Sequence, residues 1–172
     1  MLAAHLHRGQ EREGGAPLPY FTHPMEVLLA LRYEGGETDE DLLCAAALHD
    51  VIEESGTDLS EIESAVGRRA AGLVGELTRR EPTAEETKGM TKDEIWRLRA
   101  NMLLAEIREM SPDAQRVKLA DRLANVREAR RTKAGPKWDR YAWQTEEILK
   151  IVPRERCPGL WDGIRRELGG AG

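Results

Sequence analysis

The chain has 172 residues, of which 40% are apolar and 33% are charged, and its formal net charge is −5. This composition excludes a disordered or collagen-like chain, and the length suits one domain with a sizeable core. A negative net charge provides no overall attraction for nucleic acid or an anionic membrane, so we expect neither as a partner. Two cysteines without paired or metal-type spacing, and the lack of a signal-peptide core or membrane span, predict a cytoplasmic protein.

The first part of the chain carries the signals of two successive helices. Pro24 suits the first turn of a helix, where its missing N–H does no harm, and Gly35–Gly36 ends that helix. Thr38 and the acidic residues 39–41 predict the start of the next helix, because side-chain oxygens and negative charge suit exposed N–H groups. We predict that this second helix continues without interruption to Ser55.

The middle of the chain contains one long loop and the starts of two long helices. The stretch 80–90 is polar and lacks periodicity, which predicts a loop. Thr91 with Glu94 predicts a capping box, in which each residue satisfies a backbone N–H of the other. Ser111 followed by Pro112 is typical of another helix start.

The fold class follows from the helix signals along the whole chain. Two further helices are predicted at about 136–150 and 158–168, and strand signals are almost absent. We therefore predict an all-α bundle of roughly eight to ten helices. The sequence gives no indication of its oligomeric state.

The most informative feature is the pair His49–Asp50, which interrupts an otherwise apolar run. A buried carboxylate needs a cation or a dense hydrogen-bond network as compensation. His23 and Asp121 offer two further ligands, so two imidazoles and two carboxylates predict a site for one divalent ion such as manganese, iron or zinc. Such a ligand set leaves positions for water and substrate. The alternative is a group of buried polar side chains that satisfy one another.

Two glutamates follow this pair one helical turn later. Glu53 is four residues from His49 and Glu54 is four residues from Asp50, so a continuous helix would place them beside the predicted ligands. Either carboxylate could accept a proton from an attacking water or protonate the leaving group. The alternative is that both belong to a solvated helix end.

A polar stripe is predicted on the helix that carries Asp121. Helical spacing places Lys118, Asp121 and Asn125 on one face. Asn125 could bind a nucleotide by hydrogen bonds, and Lys118 could contact a phosphate or steady Asp121. Lys118 and Arg122 could equally be ordinary ion-pair residues. An aromatic residue between 138 and 143 could stack on a base, or could simply pack at the edge of the domain.

Four short blocks, which occur in order, carry a resemblance to a known family. The blocks are His7-Arg8-Gly9-Gln10, Pro19-Tyr20-Phe21-Thr22-His23-Pro24, Ala46 to Glu54 and Val117 to Asn125. They resemble the HD hydrolase domain of RelA/SpoT-type enzymes, which remove the 3′-pyrophosphate from guanosine tetra- and pentaphosphate. The length and the lack of a synthetase region are similar to the small stand-alone form, such as the metazoan SpoT homologue.

The resemblance implies an HD-domain helical bundle over residues 1–172, with a motif core at 5–150 and a C-terminal helix and tail at 151–172. It implies one Mn²⁺ ion and a nucleotide substrate. The implied metal ligands are His23, His49, Asp50 and Asp121, and the implied catalytic residues are Glu53 and Glu54. The implied substrate-binding residues are Arg12, Asn125 and Tyr141, beside Lys118 from the stripe described above.

Three positions depart from the pattern of the family. Glu54 stands where the family usually has aspartate, and the additional methylene moves that carboxylate by about an ångström. Glu13 stands where a second basic residue is usual, and Ala124 where histidine is common. These departures leave the identity of the substrate open.

The sequence therefore predicts a metal-dependent phosphohydrolase. The leading hypothesis is manganese-dependent hydrolysis of the 3′-pyrophosphate of guanosine tetra- or pentaphosphate ((p)ppGpp), which yields GDP or GTP and pyrophosphate. A second hypothesis keeps the HD-domain phosphohydrolase but changes the substrate to another nucleotide or to NADPH. A third is a catalytically silent nucleotide-binding domain.

Overall fold

The computed structural model of the protein describes residues 7, 9–11 and 18–169, and its regular structure there is helical. The described residues contain nine α-helices, in chain order α1 Thr22–Leu29, α2 Glu40–Leu48, α3 Val51–Ser55, α4 Leu59–Val66, α5 Arg68–Leu77, α6 Lys92–Glu109, α7 Pro112–Thr132, α8 Pro136–Ile151 and α9 Pro158–Glu167. A π-helical turn, Ala30–Glu34, continues α1, and a 3₁₀ turn, Arg154–Arg156, precedes α9. The predicted all-α class and helix number are confirmed. Among the described helices, none has the length and apolar character needed to cross a membrane.

The predicted helix starts of α6 and α7 are confirmed by their caps. Thr91 and Glu94 form a complete capping box, and Glu94 accepts a hydrogen bond from the N–H of Thr91 at 2.7 Å. The hydroxyl of Ser111 accepts a hydrogen bond from the N–H of Ala114 at 3.2 Å. At the start of α2 the cap is Asp39, one residue after the predicted position, because its carboxylate bonds the free N–H at the helix end.

Helix α7 lies at the centre of the bundle. It packs against α1, α2, α5, α8 and α9. Leu119, Leu123 and Val126 are fully buried on its apolar side, as the periodicity of the sequence predicts. Its polar residues Lys118 and Asp121 are also buried, so this helix carries charged groups into the interior and thereby positions the site.

The C-terminal helix α9 docks on α7 and on the π-helical turn. Gly159 makes this possible, since a Cβ there would overlap the carbonyl oxygen of Glu34. Ile164 of α9 is fully buried, and Arg127 of α7 holds the carboxylate of Glu34 with two hydrogen bonds of 2.7 Å. That residues 1–172 form one domain stays a prediction.

The predicted continuous helix through the His-Asp pair was wrong. Helix α2 ends at Leu48 and α3 begins at Val51, and the backbone of Asp50 turns with φ −117° and ψ 3°. The ring of His49 bonds the carbonyl oxygen of Ala46 at 2.9 Å, and a continuous α-helix would offer that acceptor to the N–H of residue 50. The side chain thus competes with the helix, and the chain turns at this pair.

Candidate metal centre and cleft

Three of the four predicted metal ligands meet in the interior. His23 from α1, His49 from the turn between α2 and α3, and Asp121 from α7 each offer one ligand atom, and these atoms lie within 4.8 Å of one another. Oδ1 of Asp121 is 3.4 Å from Nε2 of His23 and 3.7 Å from Nε2 of His49. Ligands bound about 2.1 Å from one ion lie roughly 3 to 3.6 Å apart. The spacing therefore fits a divalent cation with little movement.

The protonation of His49 also suits a metal ligand. Its Nδ1 lies 2.9 Å from the carbonyl oxygen of Ala46. Because a carbonyl oxygen only accepts, Nδ1 is the donor in this hydrogen bond, and in the neutral ring the lone pair is then on Nε2. That lone pair is on the side of Asp121, at 3.7 Å from Oδ1. A backbone partner of this kind fixes both the tautomer and the direction of a ligating imidazole.

Asp121 is ionised and held in place. Lys118 Nζ lies 2.9 Å from its Oδ2, and the side-chain amide of Asn125 donates to its Oδ1. Burial opposes ionisation, but Lys118 and the two imidazoles of His23 and His49 hold the pKa of Asp121 well below its usual range. Of the two roles predicted for Lys118, the contact observed is the one that steadies Asp121.

Asp50 lies at the edge of this group. The hydroxyl of Tyr20 donates to its Oδ2 at 2.7 Å, and Nε2 of His49 is 3.8 Å from the same oxygen. On the other side, Nε2 of His7 is 3.4 Å from Oδ1. Burial opposes ionisation, but His7, His49 and Tyr20 together lower the pKa of Asp50 to about 2. Its role as a fourth ligand stays a prediction.

The described residues near the N-terminus brace this turn. Nδ1 of His7 lies 2.7 Å from Oε1 of Gln10, and the amide of Gln10 donates to the carbonyl oxygen of Glu54 at 2.8 Å. Neither Gln10 nor Tyr20 has a role predicted from the sequence. Both residues belong to the sequence blocks that resemble the RelA/SpoT-type family. Their place in these blocks is the feature of the sequence from which a role could have been predicted.

Glu53 is held by Arg79, a cation that was not predicted from the sequence. Its Oε1 accepts a hydrogen bond of 2.8 Å from the backbone N–H of Arg79, and its Oε2 accepts bonds of 2.9 and 3.2 Å from the guanidinium. Arg79 follows α5, 26 residues along the chain, so no local pattern could reveal the pair. Glu54 is exposed and, like Glu53, lines the cleft. The catalytic roles of both glutamates stay predictions.

The predicted loop at 80–90 is confirmed as irregular backbone with turns. The guanidinium of Arg80 binds the carboxylate of Glu86 within this loop at 2.6 and 2.9 Å. The backbone N–H of Arg80 also donates to Glu106 of α6 at 3.2 Å, which ties the loop to the bundle beside the cleft.

A cleft of about 420 Å³ lies over the metal-ligand group. It is lined by the end of α5, the loop after it, and parts of α6, α7 and α8. Its basic lining residues are Arg79, Arg80, Arg99, Lys118, Arg122 and Lys133. Acidic residues, including the predicted ligands, line it as well. The cleft therefore combines carboxylates that could hold a metal ion with basic side chains that could contact the phosphate groups of a ligand.

The structure places the predicted substrate-binding residues as follows. Tyr141 of α8 lines the cleft, and the cations of Arg122 and Lys133 lie 4.9 and 5.6 Å from its ring centre. Asn125 lines the cleft beside Asp121. Arg12 lies outside the described residues, as does Glu13, so their predicted influence on the substrate stays a prediction.

We expect Tyr20→Phe to weaken manganese binding by about tenfold or more, because removal of the hydroxyl leaves Oδ2 of Asp50 without its donor. Titration of metal-free protein with Mn²⁺, followed by electron paramagnetic resonance of the free ion, measures this. Tyr33→Phe is the matched control, since Tyr33 is 74% exposed and does not line the cleft. If Tyr20→Phe and the unaltered protein bind Mn²⁺ with equal affinity, Tyr20 does not contribute to the metal site.

The low pKa of Asp50 predicts how stability depends on pH in the metal-free protein. A carboxyl group whose pKa is lowered from 3.8 to about 2 by folding stabilises the fold above pH 3.8 and loses this contribution as the pH falls towards 2. The unfolding free energy of the unaltered protein should fall between pH 5 and pH 2. In Asp50→Asn this fall should be smaller by about 2 kcal/mol. Urea titrations at both pH values measure the difference.

The control for this experiment is Asp162→Asn. Arg154 lowers the pKa of Asp162 too, but that pair is solvent-exposed and is screened by salt. We expect the decline in unfolding free energy to be nearly unchanged in this variant. An equal effect of the two substitutions would mean that Asp50 is not held as a buried anion.

Comparison with known proteins defines the family. The helical bundle, with a histidine and aspartate group buried beside a cleft, is the arrangement of a metal-binding α-helical domain. The sequence profile of the HD domain matches residues 1–152. The chain therefore belongs to the HD domain family.

Two curated relatives illustrate the similarity in sequence. Guanosine-3′,5′-bis(diphosphate) 3′-pyrophosphohydrolase MESH1 of Mus musculus is 38% identical over 130 residues, which are 76% of this chain and 66% of that protein. The bifunctional (p)ppGpp synthase/hydrolase SpoT of Escherichia coli (strain K12) is 32% identical over 127 residues, which are 74% of this chain and 17% of that protein. The chain thus spans just under two thirds of the mouse relative and a small part of the bacterial one.

Two solved structures share the fold. A metazoan orthologue of SpoT, described as hydrolysing ppGpp with a role in starvation responses, has a TM-score of 0.82 at 27% identity. That match covers 98% of this chain and 90% of the other. The protein lmo0812 of Listeria monocytogenes EGD-e has a TM-score of 0.63 at 21% identity over 85% of this chain and 95% of its own. The second likeness concerns the fold alone.

Proposed function

We propose that this protein is a manganese-dependent hydrolase of the 3′-pyrophosphate of guanosine tetra- and pentaphosphate, which releases GDP or GTP and pyrophosphate. The observation that carries the proposal is the convergence of His23, His49 and Asp121 in a cleft that Glu53 and Glu54 also line. The names of the relatives from mouse and Escherichia coli support this substrate. The shared fold of the metazoan SpoT orthologue supports it as well.

The residues that would hold the ion are His23, His49 and Asp121, with Asp50 as the fourth ligand. A divalent ion bound there would polarise a phosphoryl oxygen and favour ionisation of water at neutral pH. The protein contributes a charged Asp121, a fixed tautomer of His49 and an Asp50 carboxylate held by Tyr20. These features orient the ligands before the substrate arrives.

The chain's own side chains would handle the proton and the nucleoside. Glu53 would accept a proton from the attacking water, and Glu54, which is freely solvated at the cleft edge, would assist it. Because the amide nitrogen of Asn125 donates to Asp121, its amide oxygen stays available to accept a hydrogen bond from the nucleoside. Arg12 and Tyr141 would flank the nucleotide, as the resemblance implies.

One assay tests the proposal. Purified protein with added manganese is offered guanosine 3′,5′-bis(diphosphate), ordinary nucleoside triphosphates and NADPH, and the release of pyrophosphate and of phosphate is measured separately. We expect pyrophosphate from the guanosine bis(diphosphate) only. Phosphate from NADPH or from a simple nucleotide would identify a different phosphohydrolase, and tight binding without any product would identify a silent nucleotide-binding domain.

Manganese and the cytoplasm are the finer parts of the proposal. Two imidazoles with two carboxylates suit manganese, iron and zinc, so the same assay is repeated with each ion after removal of metal by a chelator. We expect the highest kcat with manganese. The cytoplasmic location is supported by Cys44 and Cys157, which are both free thiols.

A further inference from the structure

Arg122 is a buried cation that pairs with none of the described acidic side chains. Its side chain is 5% exposed and lines the cleft. One terminal nitrogen donates to Oε1 of Gln144 at 3.2 Å, the guanidinium carbon lies 4.9 Å from the ring centre of Tyr141, and Nε is buried without any partner. In the part of the chain that the structure describes, no carboxylate forms an ion pair with it. A guanidinium remains charged at all ordinary pH values.

Two other basic side chains that line the cleft, the buried Lys118 and the more exposed Arg79, differ from Arg122 in this respect. Lys118 is equally buried but lies 2.9 Å from Asp121, and Arg79 holds Glu53 at 2.9 Å. A buried charge without a counter-charge opposes folding, so a protein retains one where something else compensates it. An anion in the cleft would provide that compensation.

We propose that Arg122 forms an anion subsite for a second phosphate group of the substrate, separate from the phosphate at the metal-ligand group. Gln144 and Lys133 line the cleft on the same side, where α7 faces α8. Lys133 adds an exposed cation 5.6 Å from the ring centre of Tyr141. A guanidinium presents paired donors that match two phosphate oxygens.

This inference rests on the proposed function and makes it more specific. A substrate with phosphate groups at both ends, such as guanosine 3′,5′-bis(diphosphate), would place its 3′-diphosphate at the metal-ligand group and its 5′-diphosphate at Arg122. The preferred substrates would then be nucleotides that carry two separate anionic groups. A nucleoside 3′-diphosphate without a 5′-phosphate would lack one of the two attachments.

The kinetic test compares two substrates in the Arg122→Met variant. For guanosine 3′,5′-bis(diphosphate) we expect KM to rise by about tenfold or more, since hydrogen bonds to a charged group are lost. For guanosine 3′-diphosphate, which has a free 5′-hydroxyl, we expect little change in KM. Arg122→Lys should recover part of the loss. An equal rise of KM for both substrates, or no rise for either, would overturn the proposal.

Thermal stability separates a binding role from a structural role. A residue that supports the fold lowers the Tm when it is replaced, whereas removal of an uncompensated buried charge leaves the Tm unchanged or raises it. We expect Arg122→Met to show the second behaviour together with weaker binding. The subsite would be overturned if Arg122→Met clearly lowers the Tm, if Arg122→Lys restores it, and if KM changes equally for both substrates. Arg122 would then be a residue that supports the fold.

Direct binding distinguishes failure of this inference from failure of the proposed function. Isothermal titration calorimetry of guanosine 5′-diphosphate with chelator-treated protein requires neither metal nor turnover. We expect Arg122→Met to bind at least about tenfold more weakly than the unaltered protein. Arg131→Met is the control, since Arg131 is exposed on the same helix outside this cleft and the charge change is identical. No difference between the two variants would overturn the subsite even if the hydrolase activity is found.

Discussion

Replacement of Asp121 by asparagine should abolish turnover and weaken manganese binding by at least about 100-fold, because even the outer partners of metal ligands contribute 10- to 100-fold. Asp121 Oδ1 is the atom that faces both imidazoles, at 3.4 Å from His23 and 3.7 Å from His49. An amide there loses the negative charge that a divalent ion requires. Calorimetric titration of the metal-free variant with Mn²⁺ measures the loss.

The single variant has a second defect that a control must remove. Without Asp121, the ammonium of Lys118 stays 95% buried and loses its only ion pair among the described residues, which costs about 3–5 kcal/mol. The double variant Asp121→Asn with Lys118→Met removes the unpaired charge. We expect it to recover most of the lost stability in urea titrations but none of the manganese affinity. Manganese binding by the double variant at the strength of the unaltered protein would show that Asp121 is not a ligand.

Glu53→Gln should lower kcat by about 10²- to 10⁴-fold, the usual contribution of a positioned proton acceptor, with manganese affinity nearly unchanged. Glutamine keeps an oxygen that can accept from the backbone N–H of Arg79, but it cannot take a proton. Glu54→Gln is the matched control on the next residue, and we expect a smaller loss because Arg79 holds the carboxylate of Glu53 in place. The measurement is kcat at saturating guanosine 3′,5′-bis(diphosphate) and manganese.

A third variant separates the loss of a proton acceptor from the loss of an ion pair. Arg79→Met breaks the guanidinium contacts with Glu53 but leaves its carboxylate intact. We expect its kcat to stay well above that of Glu53→Gln. If the kcat of Arg79→Met is as low as that of Glu53→Gln, catalysis depends on the ion pair between Arg79 and Glu53. If both glutamate variants keep full kcat, neither residue moves the proton.

Much of the fold could be predicted because its signals are local. The caps at Thr91 and Ser111 depend on residues within one helical turn, and the buried face of α7 follows from periodicity alone. The ligand types could be predicted for a related reason, since a polar pair inside an apolar run must be compensated wherever the chain folds. The continuous helix through His49 was the error, because a side chain took the backbone acceptor of Ala46.

The sequence by itself determined the helices, the all-α class, and the histidine and aspartate residues available as ligands. Only the tertiary structure decided which atoms meet. Tyr20 reaches Asp50 across 30 residues and Arg79 reaches Glu53 across 26, and Arg122 is buried where no described acid meets it. Such contacts depend on how whole helices pack, and packing is set by buried apolar side chains far from the site. Local sequence carries no record of those distances, so these partners could be seen only in the folded protein.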